Sequence, residues 1–434
     1  MTNLVSAKAE LFFSHLRALV AIPSVFTRPD DVDKAMRYCR KTLETHLPGF
    51  TLYEDPGRNL LAIPHTLNLK KPLLYLSAHV DTVDAHQDEW DAPFSPFVPY
   101  ESEDELVGRG VSDCKAGVAF QLFLAELAGA GDMEFENLIF SLSFKEEGAG
   151  HKSAVHIGRA LGKSLPVSEA ETLLLVLENT VSTGASPSLG LYTAERGNFV
   201  IEVSGPLTEL QQTLTQLQSW NPICIYPETS PPLWSEVITQ KGGHACSIPR
   251  EKNRLTEIIL SADGTDLLSA GQPDSFGVIP TEIKRGKAAR PLSHALILSN
   301  RSFDSLTEVQ KQLAGIRYRE LKEFRISPGM DMRSRWEGSP FQKALATMTP
   351  PPLAITIEHN TGISDASTIL NTMEPKLAAR FFPVVMGPGT RSQRHTRPQR
   401  LTHGKNETFD KKSGMAAATT LFALLKELGF IQLK

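Results

Sequence analysis

The chain is punctuated by short apolar runs that each stop on a histidine, a carboxylate or a glycine turn. Leu73-Leu74-Tyr75-Leu76 leads to His79-Val80-Asp81, and Leu138 to Phe144 leads to Lys145-Glu146-Glu147-Gly148. Leu173 to Leu177 leads to Glu178-Asn179-Thr180, and Ala379 to Met386 leads to Gly387-Pro388-Gly389. Apolar runs this short, bounded by turn residues, read as fully buried strands. Helix-like segments at 5–21 and 32–46 precede strands at 58–63 and 73–79, and one at 116–130 separates these from strands at 138–144 and 173–178. That alternation predicts an α/β fold with a mainly parallel sheet sandwiched by helices. The pattern resumes near 329, with helices at 339–347 and 364–371, a strand at 379–386 and a C-terminal helix at 411–428.

A chain of 434 residues exceeds what one core normally serves, and 41% hydrophobic content can fill two. Residues 1–194 and 329–434, where the strand–helix alternation stops and resumes, therefore read as one discontinuous domain. Residues 195–328 read as an inserted, smaller α/β lid, bounded by Glu195-Arg196-Gly197 and Ser327-Pro328-Gly329. Within it the pattern predicts strands at 198–203, 235–240, 275–284 and 294–298, and helices at 207–219, 250–261 and 304–322.

Ligands of open α/β sheets bind beyond the carboxyl ends of the strands. His79 stands at such an end. Asp81, two residues on and on the same side of an extended chain, can hold the second imidazole nitrogen. Asp113 follows the turn signal Gly108-Arg109-Gly110 and precedes Lys115-Ala116-Gly117 and an apolar helix, so it faces the same crevice from a helix entrance. Adjacent carboxylates project to opposite sides, so of Glu146 and Glu147 one can ligate a metal while the other acts as general base. Glu178 ends the next strand, and His403, in Thr402-His403-Gly404-Lys405-Asn406-Glu407, completes the set.

These segments resemble the M20 family of metallopeptidases and deacylases, the group containing acetylornithine deacetylase, succinyl-diaminopimelate desuccinylase and carboxypeptidase G. The resemblance begins at Leu16 to Val25, takes in HVDTV, GRGVSDCKAG and Gly362-Ile363-Ser364-Asp365-Ala366, and ends at His403 to Glu407. It implies two divalent metal ions, zinc with cobalt or manganese as other occupants, bridged by Asp113. His79 and Glu178 would complete one metal position, Glu147 and His403 the other. Glu146 matches the general base and Asp81 the partner of His79. The chemistry is consistent: a pair of divalent ions, typically ~3.5–4 Å apart, acidifies a shared water and polarises a carbonyl. His395 competes with His403 by distance from Gly389, but only His403 is followed by the N-E of the H-x-x-N-E signature. Choosing His403 implies an insertion carrying Arg391, Arg394, Arg397 and Arg400, which reads either as a solvated basic loop or as a recognition surface for substrate carboxylates.

In the lid, Gly242-Gly243-His244 matches the segment whose histidine stabilises the oxyanion across a dimer, and Arg301 matches the arginine that grips a substrate carboxylate. Thr361 and Gly362 would shape the substrate wall. About 37 residues separate the end of the opening strand Asn198 to Gly205 from this segment, more than the family pattern has. Two arrangements follow: a homodimer through the lid, or a monomer with His244 acting in cis.

The expected activity is hydrolysis of an N-acyl amino acid amide bond, with carboxypeptidase or dipeptidase action on short peptides as the alternative. A catalytically silent binding protein is the third reading, disfavoured because every candidate ligand and Glu146 are retained. A net charge of −4 gives no reason to invoke nucleic acid or an anionic membrane as partner. Cys39, Cys114, Cys224 and Cys246 lack paired spacing, which suits reduced thiols in a cytoplasmic protein. Cys114 reads as packing, facing away from Asp113. The N-terminus lacks the features of a secretory signal, and no run approaches the ~20 apolar residues of a membrane span.

Overall fold

A computed structural model describes the chain except at residues 1, 148–151, 184–185, 198, 228–237, 245–255, 257–258, 261–277, 284–293, 301, 303, 305, 321–328, 350, 361–363 and 392–402. The chain divides into two compact units, one formed by Met1–Ala194, Asp331–Asn360 and Ser364–Lys434, the other principally by Glu195–Met330.

The first unit is built on a nine-stranded sheet. Its strands are β1 (Phe50–Glu54), β2 (Leu60–Pro64), β3 (Leu73–His79), β4 (Leu138–Ser143), β5 (Thr172–Val176), β6 (Ser188–Glu195), β7 (Ala354–Asn360) and β8 (Phe381–Val385), in the spatial order β1-β2-β4-β3-β5-β8-β6-β7. Val181–Ser182 adds a short strand against β6. The four central strands β4, β3, β5 and β8 are mutually parallel, while β1, β2 and β6 pair antiparallel outside them. The fold is mixed α/β with a large, mostly parallel sheet flanked by helices.

Every residue of β3, β4, β5 and β8 is buried, the signature of strands covered on both faces. Leu74, Leu76, Ala78, Phe140, Leu142 and Val384 enter one large core with helices Ala9–Val20, Pro29–His46, Lys115–Gly129 and Lys411–Glu427. The alternate positions, among them Tyr75 and Ile139, point to the other side. Helix Asp365–Thr372, capped by Ser364 accepting from the Ala366 amide, packs on β5 and β8 and beside helix Lys152–Ala160. No helix among the described residues is long and apolar enough to cross a membrane.

The second unit has its own core, including Phe199, Ile201, Leu210, Trp220, Leu298 and Val309. Its main sheet is antiparallel, ordered Asn221–Pro227, His294–Asn300, Phe199–Gly205, Arg319–Glu320. Ile238–His244 and Val278–Ile283 form a separate pair. Two local expectations are corrected. The helix predicted over 304–322 ends at Gln312, because Gly315 adopts φ 80° and turns the chain so that Arg319–Glu320 pairs with β-strand Phe199–Gly205. The segment Asn221–Pro227, for which the sequence pattern predicted no element, is an edge strand, a place where proline is tolerated.

Candidate metal centre

Three of the central parallel strands run out on the same edge of the sheet, and the side chains just beyond them converge. His79 ends β3, Glu146 and Glu147 follow β4, and Glu178 follows β5. The turn after β8 contributes no side chain but a close backbone contact. A Cβ on Gly387 would lie 2.1 Å from the Glu178 carbonyl oxygen, and one on Gly389 would lie 2.1 Å from that of Ser112. Gly117 plays the same part at the entrance of helix Lys115–Gly129, where a Cβ would meet the Leu177 oxygen at 2.4 Å. These glycines let the Asp113 and Glu178 segments approach one another.

Asp113 lies at the centre. Its Oδ1 is 3.1 Å from His79 Nε2 and its Oδ2 is 3.2 Å from His403 Nε2. Each imidazole also faces a glutamate: Glu178 Oε2 is 3.9 Å from His79 Nε2, and Glu147 Oε1 is 3.1 Å from His403 Nε2. Ligating atoms of His79, Asp113 and Glu147 all lie within 4.8 Å of one another, as do those of His79, Cys114 and Glu178.

Asp81 is fully buried and does more than the sequence suggested. His79 Nδ1 is 2.9 Å from the Asp81 main-chain oxygen and 3.4 Å from its Oδ1. The carboxylate itself accepts from the backbone amides of Glu146, at 2.9 Å, and Glu147, at 3.0 Å. One residue thus orients the imidazole, chiefly through its main-chain oxygen, and fixes the turn that carries both glutamates through its carboxylate.

The reading of Cys114 as facing away from the site is corrected. Alternation of side chains holds for extended backbone, whereas Cys114 caps a helix with φ −128° and ψ 34°. Its Sγ joins the His79 and Glu178 donors. It donates to the Leu177 oxygen at 2.9 Å, and burial pushes its thiol up to about 12.

The charge balance is lopsided. Carboxylates of Asp81, Asp113, Glu146, Glu147 and Glu178 surround two imidazoles. Burial works against charge on His79 and His403, yet neighbouring groups, Cys114 and Asp113 for the first and Glu147 and Asp113 for the second, carry both well above the ordinary histidine value. Burial and like charges raise Glu146 and Glu178 well above the carboxylate range, with Asp365 among the contributors. Burial alone would raise Asp113, but hydrogen bonds from His403 and His79 hold it below that range. A buried set that must hold several protons to tolerate its own charge fits divalent cations, which replace those protons.

Asp365, in the Gly362 to Ala366 segment that carries part of the resemblance, accepts from Ser143 Oγ at 2.5 Å and adds its charge behind Glu146. Lys115 is wholly buried and donates to the Ile22 oxygen at 2.8 Å; burial brings its pKa down to about 7. Glu407 and Arg109 also pack behind Asp113. A buried lysine after a helix-entrance aspartate, and glycines where two strand ends meet, were the available signals for these supporting residues. In the second unit, His244 ends strand Ile238–His244, opposite Val278, and its side chain is outside the described residues. Arg301, Thr361, Gly362, His395, Arg394, Arg397 and Arg400 also lie outside them. Arg391 is described: its Nη1 is 3.0 Å from Tyr192 Oη and 2.5 Å from Glu358 Oε2.

An acid-and-imidazole cluster at the carboxyl edge of a parallel sheet has the makings of a metallohydrolase centre. The chain belongs to peptidase family M20/M25/M40, whose model matches residues 75–427. A succinyl-diaminopimelate desuccinylase of Bordetella avium is 31% identical over 148 residues, 34% of this chain and 37% of that protein. A probable succinyl-diaminopimelate desuccinylase of Staphylococcus aureus is 48% identical over 58 residues, 13% of this chain and 14% of that protein. The matched portion thus spans about a third or less of these curated relatives. Human carnosine dipeptidase 1 shares the fold with a TM-score of 0.59 at 14% identity, over 98% of both chains. A Bacillus subtilis protein, a dinuclear metal binding peptidase from the M20 family, does so with a TM-score of 0.55 at 15% identity, over 98% of this chain and 99% of that one.

Proposed function

We propose that the chain is a metal-dependent amidohydrolase that cleaves the amide bond of an N-acyl amino acid. The observation that carries this reading is the division of Asp113, one carboxylate oxygen toward His79 and the other toward His403, with a glutamate accompanying each imidazole. His79, Asp113 and Glu178 would hold one divalent cation, and Asp113, Glu147 and His403 the other. Oxygen and imidazole donors suit zinc, with cobalt or manganese as workable substitutes. What such a pair supplies when bound is Lewis-acid polarisation of the scissile carbonyl and a water acidic enough to react near neutrality.

The chain's own residues do the remainder. Glu146, buried and with an elevated proton affinity, takes a proton from the attacking water and passes it to the leaving nitrogen, which departs poorly as an anion. Asp81 keeps Glu146 in place through the backbone amide and holds the tautomer of His79. We assign oxyanion stabilisation to His244 and capture of the substrate carboxylate to Arg301, both by resemblance, with Thr361 and Gly362 forming part of the substrate wall. The unit around Glu195–Met330 would serve as lid, and as dimer interface if His244 acts in trans.

The desuccinylase relatives favour an acyl amino acid, while the dipeptidase among the structural neighbours keeps short peptides as the second reading. A panel of N-acetyl and N-succinyl amino acids and dipeptides, assayed before and after chelation with Glu146→Gln as control, separates the two. Turnover confined to dipeptides would replace the deacylase assignment. No turnover of any member after zinc or cobalt addition would remove the hydrolase assignment.

A further inference from the structure

We propose that Glu407 and Arg109 form a buried strut that aims the two metal-binding segments at one another, which makes Glu407 a positioning residue for the cation position that includes His403. The inference rests on the two-cation reading above. A single carboxylate here receives four donors. Glu407 Oε2 accepts from Arg109 Nη1 at 2.9 Å and from the Gly110 amide at 3.0 Å, and Oε1 accepts from the Ser112 amide at 3.0 Å and the Asp113 amide at 3.1 Å. The last donor is the backbone of the shared aspartate. Arg109 reaches the other way, its Nη2 donating to the His403 main-chain oxygen at 3.3 Å. Both side chains of the pair are at most 3% exposed. Two loops separated by almost 300 residues are thus fixed through one ion pair.

The His403 side needs such support. His403 adopts φ 62° and Asn406 φ 55°, left-handed conformations uncommon for non-glycine residues, although asparagine and histidine take them more readily than most, and neighbouring contacts hold them here. Asn406 Nδ2 donates to Asp91 Oδ2 at 2.7 Å, its Oδ1 accepts from the Asp91 amide at 3.2 Å, and the Trp90 ring lies 5.6 Å from the Arg109 guanidinium carbon. The Trp90-Asp91 segment is therefore an outer brace of the same strut. His403, at 26% side-chain exposure against 1% for His79, is the less enclosed imidazole, so its cation position is expected to bind more weakly.

The test is a cobalt(II) titration of metal-stripped wild type, Glu407→Gln and Arg109→Lys, followed by visible absorption and accompanied by thermal unfolding of the stripped proteins. The glutamine keeps the shape but turns one acceptor into a donor facing amides. It is expected to loosen the weaker of two binding steps by about 10–100-fold, the usual effect of losing a ligand's supporting partner. Arg109→Lys is expected to loosen the same step by less. Both steps at wild-type affinity, with only the melting temperature lowered, would show mere packing and overturn the proposal. If Glu407→Gln does not fold, Arg109→Lys decides by the same titration, and an unchanged weak step overturns it. Wild type that takes up fewer than two cobalt ions overturns the two-cation reading itself, an outcome distinct from a normal wild type with insensitive variants.

Discussion

Replacing Asp81 with asparagine isolates what a single buried carboxylate does for the centre. The side chain keeps its size, so no cavity forms. Its two oxygens now serve the amides of Glu146 and Glu147 at 2.9 and 3.0 Å, and Oδ1 lies 3.4 Å from His79 Nδ1. Whichever way the asparagine amide lies, one backbone N–H must face an NH2 group. The loss is one charge-assisted hydrogen bond, about 1.5–3 kcal/mol, and the amide left buried without an acceptor adds to it. Part of that loss is expected as lower stability of the metal-stripped chain. The remainder is expected as displacement of the Glu146-Glu147 turn, with a fall in kcat of about 10–100-fold. Asp81 is positioned to act through His79 and the two glutamates, so KM is expected to change far less than kcat. Steady-state kinetics on the best substrate, at saturating metal, together with thermal unfolding, read both quantities. An unchanged kcat in a destabilised Asp81→Asn protein would refute the idea that this carboxylate positions the base.

Gly387→Ala is expected to lower stability by about 1–3 kcal/mol and to reduce bound metal, because the new Cβ would meet backbone atoms of Glu178, which cannot swing aside; unfolding curves and metal content check it. The metal-stripped protein is expected to lose stability as pH rises. Glu146 and Glu178 have raised values, so the folded chain holds their protons above the ordinary 4.5, and His79 and His403 do likewise above 6.5, where the unfolded chain releases them. Lys115, lowered to about 7, opposes this trend but is common to both forms, so the gap in melting temperature between metal-loaded and stripped protein is the quantity to follow. It should widen with pH, since loading releases the protons that the imidazoles otherwise keep. Cys114 is expected to resist alkylation near neutral pH in the native protein, given its burial and a thiol pKa of about 12; rapid labelling measured by mass spectrometry would contradict that.

The central sheet was readable because strands buried on both faces are uninterrupted apolar runs, and Leu73–His79, Leu138–Ser143 and Thr172–Val176 are such runs. Chemistry at their carboxyl ends then followed from topology, and His79, Asp113, Glu147, Glu178 and His403 do come together in one cluster. Strand Ala354–Asn360 had no such signal, because it lies at the sheet edge and is largely exposed or half-buried. The place of Cys114 was misread because a rule for extended chain was applied to a helix cap. Glu407 carried a sequence signature, but its partners, Arg109 and the 110–113 amides, lie almost 300 residues away. No local pattern encodes a pairing of that range.

The most direct test of the two-cation centre is elemental analysis of metal per chain in protein purified without chelator, repeated for His403→Ala. The account predicts about two divalent ions in wild type, and a loss confined to one of them when His403 is removed. Wild type that remains metal-free after exposure to zinc, cobalt and manganese, or a His403→Ala variant that still holds two ions, would contradict it.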